Sequence, residues 1–163
     1  MIGATRKKAH PCDCAGPLTR PGRSDVLKQP ATICIVDDDR DVRLSLKSYL
    51  RAAGMDVRTF GSAESFLKSP DRAETDCLVT DLHMPGLDGL GLQQELNRIG
   101  RNFPVVVMTA FPTMAAEAES AQLGAAAFLE KPIDPDALLE KVEAVLPRRR
   151  ARRRVGPRDG ILR

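Results

Sequence analysis

Short apolar runs alternate with stretches of helical period between residues 31 and 147. Five of these runs are strand candidates, at 32–36, 56–60, 77–81, 104–109 and 126–132. Most of them lack the apolar and polar alternation of a half-exposed strand, which is typical of parallel strands covered on both faces. The run at 56–60, DVRTF, is less apolar, so we expect it at an edge of the sheet.

Each strand candidate leads into a predicted helix. Gly54 and Gly100 provide the C-terminal stops of the first and third helices. The second helix begins at the cap residue Ser62 and stops before Pro70. We expect the inward faces to carry Val42, Leu46, Tyr49, Leu50 and Ala53 in the first helix, and Leu92, Leu96 and Ile99 in the third.

The last two helices differ in their apolar content. The fourth, in MAAEAESAQLGAAA, is rich in alanine, with Met114 and Leu123 as its large apolar side chains. A helix of that composition is expected to pack loosely. The fifth begins with Asp134 as its cap and Pro135 at its first position, and its apolar face consists of Leu138, Leu139, Val142, Val145 and Leu146.

The five units predict one α/β domain over residues 31–147. We expect a three-layer sandwich with five helices and a five-stranded parallel sheet of order 2-1-3-4-5. In this order the winding direction changes between strands one and three, and ligands collect outside the carboxyl ends of strands at such a point. Strand one is followed by Asp37 and Asp38, and strand three ends on Asp81. The topology therefore predicts that carboxylates from two separate strands meet in one crevice.

Charge divides the chain into three parts. Residues 31–147 carry 19 acidic and 11 basic residues, whereas 1–30 carry 2 acidic and 6 basic, and 148–163 carry 1 acidic and 8 basic. Arginine runs repel one another when packed, so we expect 148–163 to be a disordered Arg-rich tail. Residues 1–30 are expected to be disordered as well. Nucleic-acid binding by the tail is an alternative, but the tail has no aromatic residues to stack on bases.

The cysteines and the N-terminal segment bear on the compartment. No N-terminal apolar run is long enough for a signal peptide or a membrane span, so we expect a cytoplasmic protein without a membrane association. Cys34 and Cys77 lie in apolar runs and are expected to be buried thiols. A metal site made from Cys12, Cys14 and His10 lacks the usual spacing and a second ligand pair.

Carboxylates crowded into one crevice repel one another unless a cation is bound. Mg²⁺ is the expected cation, because it takes hard oxygen ligands, keeps several waters and needs few groups from the protein. A carboxylate on that ion can attack phosphorus and form an acyl phosphate. Lys131 and Thr109 end strands five and four at the same edge, where they could contact a phosphoryl group.

Four ordered motifs resemble those of the receiver domain of two-component response regulators. They are IVDDD at 35–39, TDLHMPGLDG at 80–89, VVMTA at 106–110 and FLEKP at 128–132. Four motifs in the right order and at fitting intervals are far more specific than any one of them. The resemblance covers residues 31–147 and implies a flavodoxin-like fold.

The resemblance also implies roles for the acidic residues. Asp81 would accept a phosphoryl group from the phosphohistidine of a sensor histidine kinase or a phosphotransfer protein. Asp38, Asp81 and the backbone carbonyl of His83 would bind Mg²⁺, and Asp37 would act mainly through bound water. The imidazole of His83 would be incidental rather than a catalytic base.

Residues of the other two motifs would respond to phosphorylation. Thr109 and Lys131 would contact the phosphoryl group, and Lys131–Pro132 would be a cis peptide, as is usual in the family. Phe128 would be the aromatic residue that changes position on activation, or simply a core residue. Phe111 would stand in the path of water and slow hydrolysis of the acyl phosphate.

The expected output is that of a single-domain response regulator. Only 16 residues follow Pro147, too few for a helix-turn-helix domain, so the regulator would signal by protein contact or act as a phosphate sink. A receiver fragment of a DNA-binding regulator is the alternative. Homodimerisation through the last two helices stays open, because apolar surface there is sparse.

An enzyme is a further alternative. Haloacid-dehalogenase-like phosphatases also carry an acidic cluster after the first strand, and Asp37 would then be the nucleophile. This chain lacks the glycine and the hydroxyl residue expected directly after that cluster, and it has no cap domain. We therefore expect a signalling protein rather than an enzyme. The remaining acids of these motifs, Asp39 and Asp88, are expected to be turn formers or helix caps.

Overall fold

The structure, a computed structural model, describes residues 29–146. Predictions on residues 1–28 and 147–163, including the Arg-rich tail and the site at Cys12 and Cys14, lie outside this part of the chain. The elements in order are β1 (Thr32–Val36), α1 (Arg40–Ala52), β2 (Asp56–Phe60), α2 (Ala63–Lys68), a 3₁₀ helix (Pro70–Glu74), β3 (Cys77–Asp81), α3 (Gly89–Arg98), β4 (Val105–Thr109), α4 (Met114–Gln122), β5 (Ala127–Glu130) and α5 (Pro135–Val145).

The five strands form one parallel sheet of order β2-β1-β3-β4-β5, as predicted. β2 lies at an edge, which the weaker apolar character of DVRTF had indicated. Val36 pairs with Thr80 across β1 and β3, and Asp81 pairs with Met108 across β3 and β4. The carboxyl ends of these three strands therefore lie side by side and form one rim of the sheet.

Alternating strand residues supply two hydrophobic clusters, one on each face of the sheet. On one face, Ile33 and Ile35 pack with residues of α1 and α5, and on the other Cys34 and Val36 pack with residues of α2 and α3. Cys34 and Cys77 are buried thiols, as predicted, and burial raises their pKa values to about 11 and about 12. Both strand faces are covered, which explains the nearly continuous apolar runs.

The helix boundaries follow the predicted capping residues. The side chains of Asp39, Ser62, Asp88 and Asp134 accept hydrogen bonds from the first backbone N–H groups of α1, α2, α3 and α5. Such bonds satisfy donors that have no partner inside the helix. Asp39 and Asp88 are therefore helix caps, as expected for acids outside the cluster.

Three details of the helices differ from the sequence predictions. Ile99, expected to point inward, is 41% exposed because α3 ends at Arg98 and Ile99 is its C-cap. Ala53, expected on the inward face of the first helix, is the exposed C-cap of α1. Pro70–Glu74 forms a 3₁₀ helix that the apolar pattern did not predict, since such short helices carry no apolar period of their own.

α4 has fewer buried residues than any other α-helix in the described part of the chain. Among its residues only Ser120 is buried, where its hydroxyl lies 3.3 Å from Gln93 Oε1. Met114, at the first position of α4, is 90% exposed. This agrees with the loose packing expected from the alanine-rich sequence.

The edge strand β2 carries a group of charged side chains. Arg58 forms ion pairs with Asp56 at 3.6 Å, with Glu74 at 2.9 Å and with Asp71. Two of these acids belong to the 3₁₀ helix Pro70–Glu74. This helix therefore places carboxylates beside the outermost strand.

Candidate functional site

Three carboxylates meet outside the carboxyl ends of β1 and β3. Asp37 and Asp38 directly follow β1, and Asp81 is the last residue of β3. One carboxylate oxygen from each of the three lies within 4.8 Å of those of the other two. Asp37 is fully buried and Asp81 is 4% exposed, whereas Asp38 is exposed to solvent. The structure thus has the acidic crevice that the strand order predicted, with Asp38 on its open side.

The protein itself occupies both carboxylate oxygens of Asp37. Oδ1 accepts a hydrogen bond from the backbone N–H of Asp39 at 2.8 Å, and Oδ2 accepts one from Lys131 Nζ at 2.8 Å. The backbone N–H of Asp37 also donates to the carbonyl of Phe60 at 3.2 Å. Asp37 is therefore a fixed and largely satisfied carboxylate.

Lys131 joins the acids of two strands. Its Nζ lies 2.8 Å from Asp37 Oδ2 and 3.2 Å from Asp81 Oδ1. Burial lowers the pKa of Lys131, but the hydrogen bond and charge of Asp37, with the charge of Asp81, outweigh it and leave the pKa above its usual value. The ammonium group therefore stays charged at neutral pH.

The backbone fixes Lys131 in this position. Lys131 directly follows β5, which ends at Glu130 and not at residue 132 as predicted. Its N–H donates to the carbonyl of Thr109 at 2.7 Å, which ties the residue after β5 to the end of β4. The peptide bond from Lys131 to Pro132 is cis, which confirms what the family resemblance implied.

The charge on Asp81 is incompletely compensated. Burial raises the pKa of Asp81, and the charge of Asp37 raises it further, while Lys131 and the backbone of His83 act in the opposite direction. The net pKa lies above the usual value for an aspartate. The atoms that the cluster offers as metal ligands are all carboxylate oxygens. Both these ligand atoms and the uncompensated negative charge fit a hard divalent cation such as Mg²⁺.

Arg43, which the sequence analysis did not single out, supports the loop that carries Asp37 and Asp38. Its Nη1 donates to the backbone carbonyl of Asp37 at 2.6 Å and to that of Asp38 at 3.0 Å. These bonds run back from α1 to the loop before it. They hold the two carboxylates at the rim without using their side-chain oxygens.

The loop after β3 is held by two close contacts. Glu64 of α2 accepts a hydrogen bond from the backbone N–H of Leu87 at 3.0 Å, and this bond lowers the pKa of Glu64. Gly89, the first residue of α3, donates its N–H to the carbonyl of Leu82 at 2.9 Å. A Cβ on Gly89 would lie 2.5 Å from the carbonyl oxygen of Asp81, so the start of α3 packs directly against the end of β3.

Thr109 lies beside the crevice and is fully buried. Its Oγ1 is 3.1 Å from Nδ1 of His83, and it accepts a hydrogen bond from the backbone N–H of Phe111 at 3.1 Å. The rings of His83 and Phe111 meet edge to face, with centroids 6.0 Å apart. The imidazole of His83, for which the sequence indicated no role, is thus in contact with the predicted switch hydroxyl.

Phe111 and Phe128 have different surroundings. The side chain of Phe111 is 70% exposed. Phe128 is half-buried and packs against the hydrophobic cluster on the face that α2 and α3 cover. The position of Phe128 agrees with a core residue, and its role in switching stays a prediction.

A helix that crosses a membrane must be both long and apolar. Within residues 29–146, no helix has both the length and the apolar character to cross a bilayer.

A family model for the response regulator receiver domain matches residues 33–143. Over 114 residues the chain is 42% identical to the transcriptional regulatory protein FixJ of Azorhizobium caulinodans, which covers 70% of this chain and 54% of FixJ. The chain thus spans about half the length of that relative.

Solved structures of receiver domains are also similar to this chain. The crystal structure of FixJ-N matches with a TM-score of 0.65 at 34% identity, covering 72% of this chain and 94% of that one. The chemotaxis protein CheY4 of Vibrio cholerae matches with a TM-score of 0.68 at 25% identity, covering 72% and 99%. These matches confirm the flavodoxin-like fold and show that the chain belongs to the response regulator receiver domain family of two-component signalling.

Proposed function

We propose that this chain is a phosphoacceptor that takes a phosphoryl group on Asp81 in a magnesium-dependent reaction. The observation that carries the proposal is the meeting of Asp37, Asp38 and Asp81 within 4.8 Å, with Lys131 bridging two of them. Asp81 is the nucleophile in this proposal because Asp37 is fully buried and is the closer partner of Lys131, whose Nζ lies 2.8 Å from Asp37 and 3.2 Å from Asp81. The donor is the phosphohistidine of a sensor histidine kinase or of a phosphotransfer protein.

Each residue of the crevice has a proposed task. Asp38, Asp81 and the backbone carbonyl of His83 hold Mg²⁺, and Asp37 acts through water bound to it. When bound, the ion neutralises charge on the phosphoryl oxygens and on the attacking carboxylate. Lys131 is already 3.2 Å from Asp81 Oδ1, and it pairs with a phosphoryl oxygen once the group has arrived.

The transfer itself exchanges one bond for another. A carboxylate oxygen of Asp81 forms a bond to phosphorus as the P–N bond of the donor phosphohistidine breaks. The bonding electron pair leaves with the imidazole nitrogen, and the carboxylate becomes an acyl phosphate. The attacking carboxylate oxygen and the leaving imidazole nitrogen are held in line, and the carboxylate needs no proton removed. Positioning and charge neutralisation therefore supply most of the catalysis.

The phosphatase alternative needs Asp37 as the nucleophile. Asp37 is fully buried, and its two oxygens are occupied by Asp39 N–H and Lys131. A nucleophile in that state would first have to break a charge-assisted hydrogen bond. The geometry therefore favours a signalling role over turnover of phosphoesters.

The proposal is tested by phosphorylation with acetyl phosphate and Mg²⁺, followed by intact-mass spectrometry. The expected result is one added phosphoryl group, which is lost on chelating the metal and absent in Asp81→Asn. Asp88→Asn is the matched control, because Asp88 is an exposed acid of the same motif and asparagine retains its capping function. An unmodified wild-type protein, or full modification of Asp81→Asn, would refute the proposal.

Two outputs are compatible with this chemistry. The chain can signal by protein contact or serve as a phosphate sink, as the sequence analysis expected. Control of DNA binding is the alternative that the comparisons favour, because FixJ is named a transcriptional regulatory protein and this chain covers 54% of it. The cytoplasmic location stays a prediction.

A further inference from the structure

The cluster of Thr109, His83 and Phe111 contains a hydrogen bond that the proposed function does not use. The Thr109 hydroxyl must donate its proton to a phosphoryl oxygen on Asp81 if it is to respond to phosphorylation. Within residues 29–146, however, the hydroxyl contacts Nδ1 of His83 and the N–H of Phe111, and it makes no hydrogen bond to Asp81. Its present partners belong to the loops after β3 and β4.

The Thr109 hydroxyl cannot donate to His83 and to a phosphoryl oxygen at the same time. A threonine hydroxyl has one proton and two lone pairs. The backbone N–H of Phe111 uses one lone pair. When Nδ1 of His83 is the acceptor, the single proton points to the imidazole, and it cannot at the same time point to a phosphoryl oxygen.

We propose that the His83 imidazole is a positioning residue that competes with the phosphoryl group on Asp81 for the Thr109 hydroxyl proton. The inference rests on the proposed phosphorylation of Asp81. His83 thereby stabilises the unphosphorylated arrangement and lowers the fraction of molecules that switch when a phosphoryl group is bound.

The ring of Phe111 helps to hold the imidazole in place. It packs edge to face on His83, and the backbone of the same residue donates to Thr109. Rotation of the hydroxyl toward Asp81 thus breaks the bond to His83 and strains the bond to Phe111. The loop between β4 and α4 is therefore coupled to the orientation of one hydroxyl group.

Binding of beryllium trifluoride, a phosphoryl mimic, to Mg²⁺-saturated protein tests the inference by calorimetry. Loss of one competing hydrogen bond corresponds to about five-fold tighter binding, because such a bond contributes on the order of 1 kcal/mol. We expect this gain in His83→Phe, which retains a ring against Phe111 but has no Nδ1. His83→Ala serves as a second variant, and His83→Asn, which restores an acceptor, should bind as the wild type does.

Combining His83→Phe with Thr109→Val distinguishes competition for the hydroxyl proton from a merely structural effect of the substitution. In Thr109→Val the hydroxyl is absent and the volume is retained, so His83→Phe should then leave the affinity unchanged. In addition, the ¹⁵N shift of His83 Nδ1 in the metal-free wild type should be that of an unprotonated ring nitrogen. Unchanged or weaker binding in His83→Phe, a gain that persists in Thr109→Val, or a protonated Nδ1 would overturn the inference.

The proposed function can fail separately in the same experiment. If the wild type binds beryllium trifluoride and Asp81→Asn does not, the phosphoacceptor site stands, whatever the His83 variants show. If the wild type does not bind at all, the phosphoacceptor proposal fails, and the inference on His83 fails with it.

Discussion

Replacement of Gly89 by alanine should destabilise the fold and distort the site together. Gly89 begins α3, and a Cβ there would lie 2.5 Å from the carbonyl oxygen of Asp81 and 2.9 Å from Cα of Leu82. Ordinary van der Waals contact begins at 3.4 Å. Both obstructing atoms belong to the backbone, so no rotamer change can relieve the overlap. Either the start of α3 or the end of β3 must move.

The expected loss of stability in Gly89→Ala is the difference between two opposing contributions. Overpacking against a rigid neighbour costs about 3 kcal/mol, the upper end of the usual range. Alanine in place of glycine in a helix returns up to about 1 kcal/mol. The net loss is therefore about 2 kcal/mol in the free energy of unfolding, which corresponds to roughly 8 °C in Tm for a domain of this size.

Gly91→Ala is the matched control. It lies in the same turn of α3, but its Cβ would meet Cδ1 of Leu87 at 2.6 Å, the far end of a flexible side chain. We expect the control to change stability by no more than about 1 kcal/mol, with the helix propensity of alanine favouring a gain. Urea unfolding with equal m-values measures both variants. Equal losses in the two variants, or a stable Gly89→Ala that still accepts phosphate normally, would refute the close-contact argument.

Three further predictions concern the crevice. Lys131→Met should lower the free energy of unfolding of the metal-free protein by about 3 kcal/mol, because it leaves the buried Asp37 without its counter-charge. Urea unfolding should show that Mg²⁺ restores the lost stability. If the variant is as stable as the wild type without metal, the ion pair of Lys131 and Asp37 contributes nothing. Asp81→Asn should stabilise the metal-free protein at neutral pH. The folded pKa of Asp81 is raised, so the penalty for its charge is fully present above that pKa and disappears as the pH falls to about 4; an equal gain at pH 4 and pH 7 in urea titrations would contradict this. Phe111→Ala should hasten hydrolysis of the acyl phosphate by opening the path of water, and an unchanged phosphate half-life would remove that role from Phe111.

Local patterns account for the elements that the sequence predicted well. Asp39, Ser62 and Asp134 cap helices because a side-chain oxygen can satisfy N–H groups only two or three residues away. Ile33 and Cys34 point to opposite faces of a sheet that is covered on both sides, so the strand run is apolar throughout. These relations involve residues that are close in sequence, so the pattern of a single sequence is enough to predict them.

Contacts between distant residues explain what was missed. His83 and Thr109 are 26 positions apart, and the bond between them depends on how two loops lie beside each other. Arg43 reaches back to the carbonyls of Asp37 and Asp38 from one turn inside α1, and arginines on helix surfaces give no pattern that identifies such a bond. The acidic crevice was predictable because strand order alone brings its residues together. Its hydrogen-bonded lining was not.

The charged group on β2 has a consequence for the protein at high concentration. An outermost strand offers unpaired backbone donors and acceptors to other chains, and this is a common origin of aggregation. Arg58 and its three carboxylate partners surround that strand with strongly hydrated groups. A second molecule that tried to extend the sheet there would have to strip water from all of them, which is costly. The same ion pairs that fasten the 3₁₀ helix thus help to keep separate copies of the domain from adding to one another's sheets.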